Sequence, residues 1–312
     1  MNLFPYSNTN KRYHTLDYFY KNKFKSKVCK ISLNAGFTCP NIDGTVGKNG
    51  CIYCSKLGSG ENGGNPNEDL ITQFKNVKKI MDKKWPKSKY IGYFQARTNT
   101  YAPVNILKEK YESILKLPNV VGLSIATRPD SISDECLDYL KQLNKKTFLT
   151  VELGLQTIHE KTSKLINRCH DLKCFEKTLK KLKDANIFTV VHIINGLPHE
   201  TKDMMIETVK YLNNLNIDGI KIHMLLVLKN TPLEKYYKNN KFHILTKDEY
   251  VDIVTTQLEY LNPNIVIQRL SADPVKEDLI EPKWTIKKID VLNTIDKKMN
   301  KENIYQGDKS ID

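Results

Sequence analysis

The chain has 312 residues, 49 Lys and Arg against 35 Asp and Glu, and a formal net charge of +14. At 40% hydrophobic and 27% charged it has the composition of an ordinary globular protein, long enough for one large domain or two small ones. The charge favours a polyanionic partner, nucleic acid before an anionic membrane, although a lysine-rich surface that follows genome composition has the same balance. No run of about 18 apolar residues marks a transmembrane helix. Residues 1–20 are polar and aromatic, without the apolar stretch of a secretory signal. Seven cysteines without regular pairing do not make a disulfide scaffold. The expectation is a cytoplasmic protein with reduced thiols and no membrane partner.

Residues 1–26 form a basic, aromatic extension, with Tyr13, Tyr18, Phe19, Tyr20 and Phe24 among Lys11, Arg12, Lys21, Lys23 and Lys25. Such interleaving suits nucleic acid, by charge and base stacking; it equally suits aromatics that cap a core. From residue 27 the pattern becomes regular. Strands are predicted at 27–33, 90–94, 120–126, 147–154, 187–194 and 219–227, with a last extended piece at 265–270. Helices are predicted at 67–84, 104–117, 134–143, 158–167, 172–185, 202–215 and 247–261. This is β-α repeated six times with short connections, which implies a parallel sheet and right-handed crossovers. Six units favour a partial barrel over a complete eight-fold one, with a doubly wound open sheet as the alternative. No repeat or low-complexity linker divides residues 27–282. In the basic tail, 283–312, Trp284, Ile286, Ile289, Leu292, Ile295 and Met299 read as one helix face.

Between the first strand and the first helix lie Cys39, Cys51 and Cys54, spaced C-x11-C-x2-C. Two residues between Cys51 and Cys54 let both sulfurs turn onto one centre. Gly44, Gly47 and Gly50 allow the loop to fold tightly. A structural zinc site wants four protein ligands, whereas a [4Fe–4S] cluster on three cysteines keeps one iron open to an outside ligand. Zinc with a fourth ligand elsewhere, or a cysteine group without metal, also fits the spacing. Cys29, Cys136, Cys169 and Cys174 form no chelating CxxC.

The runs Asn34-Ala35-Gly36-Phe37-Thr38-Cys39-Pro40-Asn41-Ile42-Asp43-Gly44-Thr45 and Gly50-Cys51-Ile52-Tyr53-Cys54-Ser55 resemble the cluster loop of the YhcC/YtqA-like radical S-adenosylmethionine (SAM) proteins. These are relatives of the elongator catalytic subunit. Their cysteine spacing is wider than the usual CxxxCxxC, and the resemblance runs from about Tyr13 to Gln306. It implies a partial (β/α)6 TIM-type radical SAM barrel with N-terminal and C-terminal extensions. It also implies a [4Fe–4S] cluster on Cys39, Cys51 and Cys54, and SAM as cofactor beside Tyr53. A flavodoxin or ferredoxin would supply the electron that cleaves SAM to a 5′-deoxyadenosyl radical. The YtqA-like branch points to tRNA as partner, with wobble 5-carboxymethylaminomethyluridine converted to 5-aminomethyluridine. The rival readings are a radical SAM enzyme on a small molecule or protein, and a non-catalytic, zinc-containing nucleic-acid-binding protein.

In α/β barrels functional residues sit on loops after the C-terminal ends of strands, where the cysteine loop also lies. After the second strand, Tyr93-Phe94-Gln95 stands where radical SAM proteins carry a Gly-Gly-Glu-like contact to the SAM amino group. A backbone carbonyl at Gln95 can still accept there, and Gln95 and Asn99 can also be turn formers. The third strand ends in Thr127-Arg128-Pro129-Asp130, similar to an elongator-like segment, with Arg128 able to pair with a carboxylate or phosphate and Asp130 able to cap the turn. Glu152, a carboxylate inside an apolar strand, needs a partner; it is a catalytic and SAM-binding candidate with Gln156, or one half of a buried pair with Arg128 or a lysine. Gly196, Pro198 and Glu200 resemble the segment that approaches adenine. His192 and His223 read either as proton donors or as satisfied core residues.

Overall fold

The computed structural model describes residues 4–58, 60 and 63–310. Chain contacts divide it into two compact units: Tyr20–Gly154 with Arg168–Val190, and the residues through Phe19 with Leu155–Asn167 and those from Val191 on. The principal strands are β1 (Val28–Leu33), β2 (Lys89–Phe94), β3 (Val120–Thr127), β4 (Phe148–Gln156), β5 (Phe188–Asn195), β6 (Gly219–Met224) and β8 (Val266–Arg269). They form one seven-stranded sheet in the order β1-β2-β3-β4-β5-β6-β8. A two-residue β7 (Val227–Leu228) pairs antiparallel with β9 (Leu279–Glu281). The fold is the α/β partial barrel expected from the alternation, with the late extended piece promoted to a seventh strand beside β6. The predicted strand 219–227 is broken in two. Both pieces are buried, so the apolar run across them hides the break.

In the first unit β1, β2, β3 and part of β4 pair parallel. Ile31, Leu33, Ile91, Phe94, Leu123, Ile125, Leu149 and Val151 are fully buried, as expected of strands covered on both faces. Helices α2 (Leu70–Lys84), α3 (Val104–Leu115), α4 (Asp134–Lys146) and α6 (Leu172–Asp184) belong to this unit. Asp69, Ser133 and Asp171 start three of them by accepting from backbone N–H groups that have no helical partner.

One polar line crosses this sheet. Lys30 on β1, Tyr93 on β2, Ser124 on β3 and Glu152 on β4 meet on one face. Lys30 Nζ lies 2.8 Å from Glu152 Oε1; Ser124 Oγ donates to the same oxygen at 2.5 Å and Tyr93 Oη to Oε2 at 3.1 Å. The Lys30 ammonium also stands 4.9 Å over the Tyr93 ring.

In the second unit the lead-in is built into the domain. Ile267 N donates to His14 O, Tyr6 stacks on His14 at 4.6 Å, and Tyr13 is buried. In the other unit Tyr20 and Phe24 pack edge-on against Phe148. These aromatics thus act as core caps. Helices α1 (Leu16–Phe24) and α8 (Pro232–Asn239), unpredicted, each bury a single side chain and so carry no apolar period. Helices α5 (Glu160–Leu165), α7 (Lys202–Asn213), α9 (Lys247–Tyr260) and α10 (Lys288–Lys301) complete the chain. On α10 the buried face is Val291, Ile295 and Met299, while Ile286 and Ile289 are exposed. A 3-10 turn at Lys283–Ile286 breaks the phase on which the predicted stripe relied.

Helix α9 opens with a complete capping box between Thr246 and Glu249. The Thr246 backbone N–H holds the Glu249 carboxyl below its ordinary pKa. A lowered folded-state pKa stabilises above the unfolded value and is lost as pH falls through the folded one. Glu249→Gln is therefore expected to lower thermal stability at neutral pH, with the deficit closing below about pH 4, the unperturbed glutamate range. A melting series across pH checks this.

Candidate functional site

The cysteine loop leaves β1 at its C-terminal end and is folded on its own backbone. Ile42 N and Asp43 N donate to Cys39 O, Val46 N and Gly47 N to Pro40 O, Gly50 N to Asn41 O and Cys54 N to Cys51 O. At its centre is Asn41, which is 0% exposed. Its amide donates to Cys51 Sγ at 3.5 Å. Gly47 permits this packing: a Cβ there would lie 2.2 Å from Asn41 Oδ1 and 2.9 Å from Cys169 Sγ.

Cys51 is buried, and Cys39 and Cys54 are half-buried. None of the seven cysteines is in a disulfide. The Cys51 thiol is brought down to about 6, first by a hydrogen bond with Cys54, against its burial, and further by the Arg128 charge, the Tyr53 hydroxyl and Asn41. A thiol so acidified is a thiolate at neutral pH, the form that binds iron. Tyr53 moves the other way: burial and the negative Cys51 and Cys54 hold its hydroxyl protonated. Among the described residues, no three His, Cys, Asp or Glu side chains converge on a single ion. A four-iron cube does not require that convergence, because its cysteines bind separate iron corners. The donor set, three thiols with one acidified and two positive charges nearby, fits such a cluster.

Those charges are Arg128 and Arg168. Arg128 is buried and grips Asp130 with two bonds, Nε to Oδ1 at 2.9 Å and Nη2 to Oδ2 at 2.6 Å. Burial works against its charge, but Asp130 and the cysteines outweigh it, and its pKa ends above the ordinary arginine value. Asp130, read in the sequence as a cap of the turn, is the carboxylate with which Arg128 pairs. Arg168 was not singled out in the sequence. It is 2% exposed, and its Nε donates to His170 O at 3.0 Å. Burial lowers its pKa, while Tyr53 and Cys51 act to raise it. The adjacent His170 is pushed down to about 3 by burial and then by Arg168, so its ring is neutral. No local sequence signal marks Arg168, because its neighbour Cys169 reaches Gly47 only through packing.

Other strand-end residues are placed as follows. Gln95 is half-buried, and its N–H donates to Leu33 O at 3.3 Å. Asn99 is a turn former, its amide donating to Ala96 O and Ala126 O. Thr100 ties this loop to the next through Thr127 and Ser131 O. Glu152 has the lysine partner, Lys30, rather than Arg128. Lys30 was missed, although the argument that flagged Glu152 applies to any charge in an apolar strand. In the second unit, Gln156 and Gly196 both have positive φ, and Pro198 is buried. A Cβ on Gly196 would meet Leu245 at 3.1 Å. Glu200 accepts from Thr157 Oγ1 at 2.5 Å. His192 and His223 are neighbours, with ring centroids 5.5 Å apart.

Comparison with known proteins agrees with this geometry. Residues 43–212 match the Radical SAM superfamily model, and residues 217–301 match the Radical_SAM C-terminal domain. YtqA of Bacillus subtilis (strain 168) is 51% identical over 306 residues, covering 98% of this chain and 95% of YtqA. The chain belongs to the radical SAM superfamily, in its YhcC/YtqA-like family. A more distant relative, the tRNA uridine(34) acetyltransferase of Methanocaldococcus infernus, is 28% identical over 138 residues, 43% of this chain and 25% of that protein. The structure of the archaeal Elp3 of the same organism, lacking residues 1–46, superposes with a TM-score of 0.70 at 19% identity, over 90% of this chain and 64% of that one. That likeness is one of fold. Radical SAM proteins as a family use a [4Fe–4S] cluster and SAM. Among the described residues of this member, no helix is long and apolar enough to cross a membrane.

Gly47→Ala is expected to displace Asn41 at a cost of about 1–3 kcal/mol, the range for overpacking. Iron and sulfide bound per chain after anaerobic reconstitution should fall severalfold. Gly36→Ala is the control: its Cβ meets no atom within 4 Å and adds only the strain of a positive φ.

Proposed function

We propose that this chain is a radical SAM enzyme that modifies the wobble uridine of tRNA, converting 5-carboxymethylaminomethyluridine to 5-aminomethyluridine. The observation that carries the enzymatic part is the braced loop, which presents Cys39, Cys51 and Cys54 with Cys51 already acidified. These cysteines hold the [4Fe–4S] cluster. Bound there, the cluster would supply the one-electron reduction by which SAM is cleaved, the electron coming from an external carrier. The chain's own part is to bind, orient and exclude water. Arg128 and Arg168 place buried positive charge beside the thiolates, which offsets the negative charge of a thiolate-ligated cluster. Within the first unit, Gln95, Tyr53, Arg128 and Glu152 serve SAM. The electron comes from a flavodoxin or ferredoxin, in a compartment that keeps thiols reduced.

The substrate reading is supported by likeness to a tRNA uridine(34) acetyltransferase and by the net charge of +14. Anaerobic reconstitution with SAM and bulk tRNA tests both parts. The expected results are four irons and four sulfides per chain, as the cluster formula requires, and 5′-deoxyadenosine formed in step with loss of the carboxymethylamino nucleoside. Zinc without sulfide would remove the radical chemistry. A deletion strain with an unchanged tRNA nucleoside profile would remove the substrate.

Arg168→Met is expected to lower the cluster's reduction potential, because net charge near the cluster helps set it, while Arg168→Lys restores it. A redox titration followed by electron paramagnetic resonance reads this without turnover.

A further inference from the structure

Helix α2 carries five lysines and one carboxylate, against five and two on α6 and four and two on α10. On α6, Lys180 and Lys181 are paired with Asp184 and Asp134. On α10, Lys288 is paired with Asp273, and Lys298 with Asp252 and Glu302. On α2, Lys78 takes the helix's only carboxylate, Asp82, which also accepts from Tyr90 Oη. Lys75, Lys79 and Lys83, spaced four apart, are exposed on the same face. With Lys78 and Asp82 they line an open concavity of about 520 Å³. At the end of the helix Trp85 is 41% exposed. Lys27 and Lys84 stand over its ring at 4.5 and 5.7 Å, and exposed Lys87 follows.

We propose that this face, Lys75, Lys79, Lys83 and Lys87 with Trp85 at its end, is a docking track for folded RNA. The lysines take backbone phosphates, and the Trp85 ring takes an unpaired base. A row of like charges raises its own electrostatic energy, and a polyanion relieves this by releasing its counterions. An exposed indole flanked by cations is the combination that holds a base by stacking while the phosphates are neutralised. The extent of the track argues for RNA over an acidic electron carrier. The cluster loop leaves β1 at its C-terminal end, whereas Lys27 precedes β1 and Lys89, just past Trp85, begins β2. Six strand residues separate those ends, about 20 Å. Helix α2 itself is about 22 Å long. A carrier must come close to the cluster, while this face runs away from it. A large nucleic acid can reach both places.

The inference rests on RNA being the substrate, and the test separates the two. Binding of unfractionated tRNA to the reconstituted full chain is measured across a salt series. The variants are Lys75→Gln/Lys79→Gln/Lys83→Gln/Lys87→Gln and, on α10, Lys297→Gln/Lys301→Gln. Wild type is expected to show a steep slope of log affinity against log salt. The α2 variant should flatten that slope by about 3, at roughly 0.7–0.9 per phosphate contact, and the α10 variant should not. Trp85 fluorescence should be quenched by tRNA, and Trp85→Phe should lose the quench while keeping the fold by circular dichroism. Absence of tRNA binding by wild type removes both the substrate reading and this track. Wild-type binding with an unaltered slope in the α2 variant, or an equal loss in the α10 variant, overturns the track alone. Slower cluster reduction by flavodoxin in the α2 variant, with its tRNA slope intact, assigns the face to the carrier and also overturns it.

Discussion

The site depends on one buried amide. Asn41 fills the space inside the cysteine loop, takes the Gly50 N–H on its backbone carbonyl and reaches Cys51 with its side chain. A loop with three thiols and several glycines has much conformational freedom to lose, and a glycine loses more than any other residue. Packing around Asn41 offsets that loss before any ligand arrives. It is also why position 47 has no room for a side chain. The loop's geometry follows from a contact between a short polar residue and the absence of a Cβ.

Around that loop the charges are complementary. The Arg128–Asp130 pair is two-pronged, which fixes the guanidinium plane as well as its position. Arg168 arrives from a different part of the chain, between α5 and α6, and is fully enclosed. A buried arginine is tolerated only where negative groups face it, and Cys51 and Asp171 lie within its field. The half-barrel supplies the strand ends, and the loops supply the charge.

The cysteine loop was legible because its signal is local: the spacing, the glycines and the strand before them lie in one short stretch. The strands and most helices were legible from period alone, within a few residues at each end. Helices α1 and α8 were not, because one buried side chain each leaves nothing periodic to read. The broken strand after Met224 was hidden because both pieces are apolar. Arg168 escaped for another reason. Its environment is made by tertiary packing of the loop at 167–171 onto the cysteine loop, and neither segment announces the other. Glu152 was found as a buried charge, but its partner was not, since a sequence does not say which lysine an acid will meet.

The line from Lys30 through Tyr93 and Ser124 to Glu152 also affects how the sheet assembles. Each of four neighbouring strands contributes one member, and side chains alternate faces along a strand. Sliding β1 or β4 by a single residue splits the Lys30–Glu152 pair and strands an ion in hydrocarbon, a fault worth several kcal/mol, and sliding β2 or β3 takes a hydroxyl donor from Glu152. The hydrophobic runs on these strands are nearly featureless and would accept several alignments. The polar diagonal works as a vernier: only one setting of the four strands closes it.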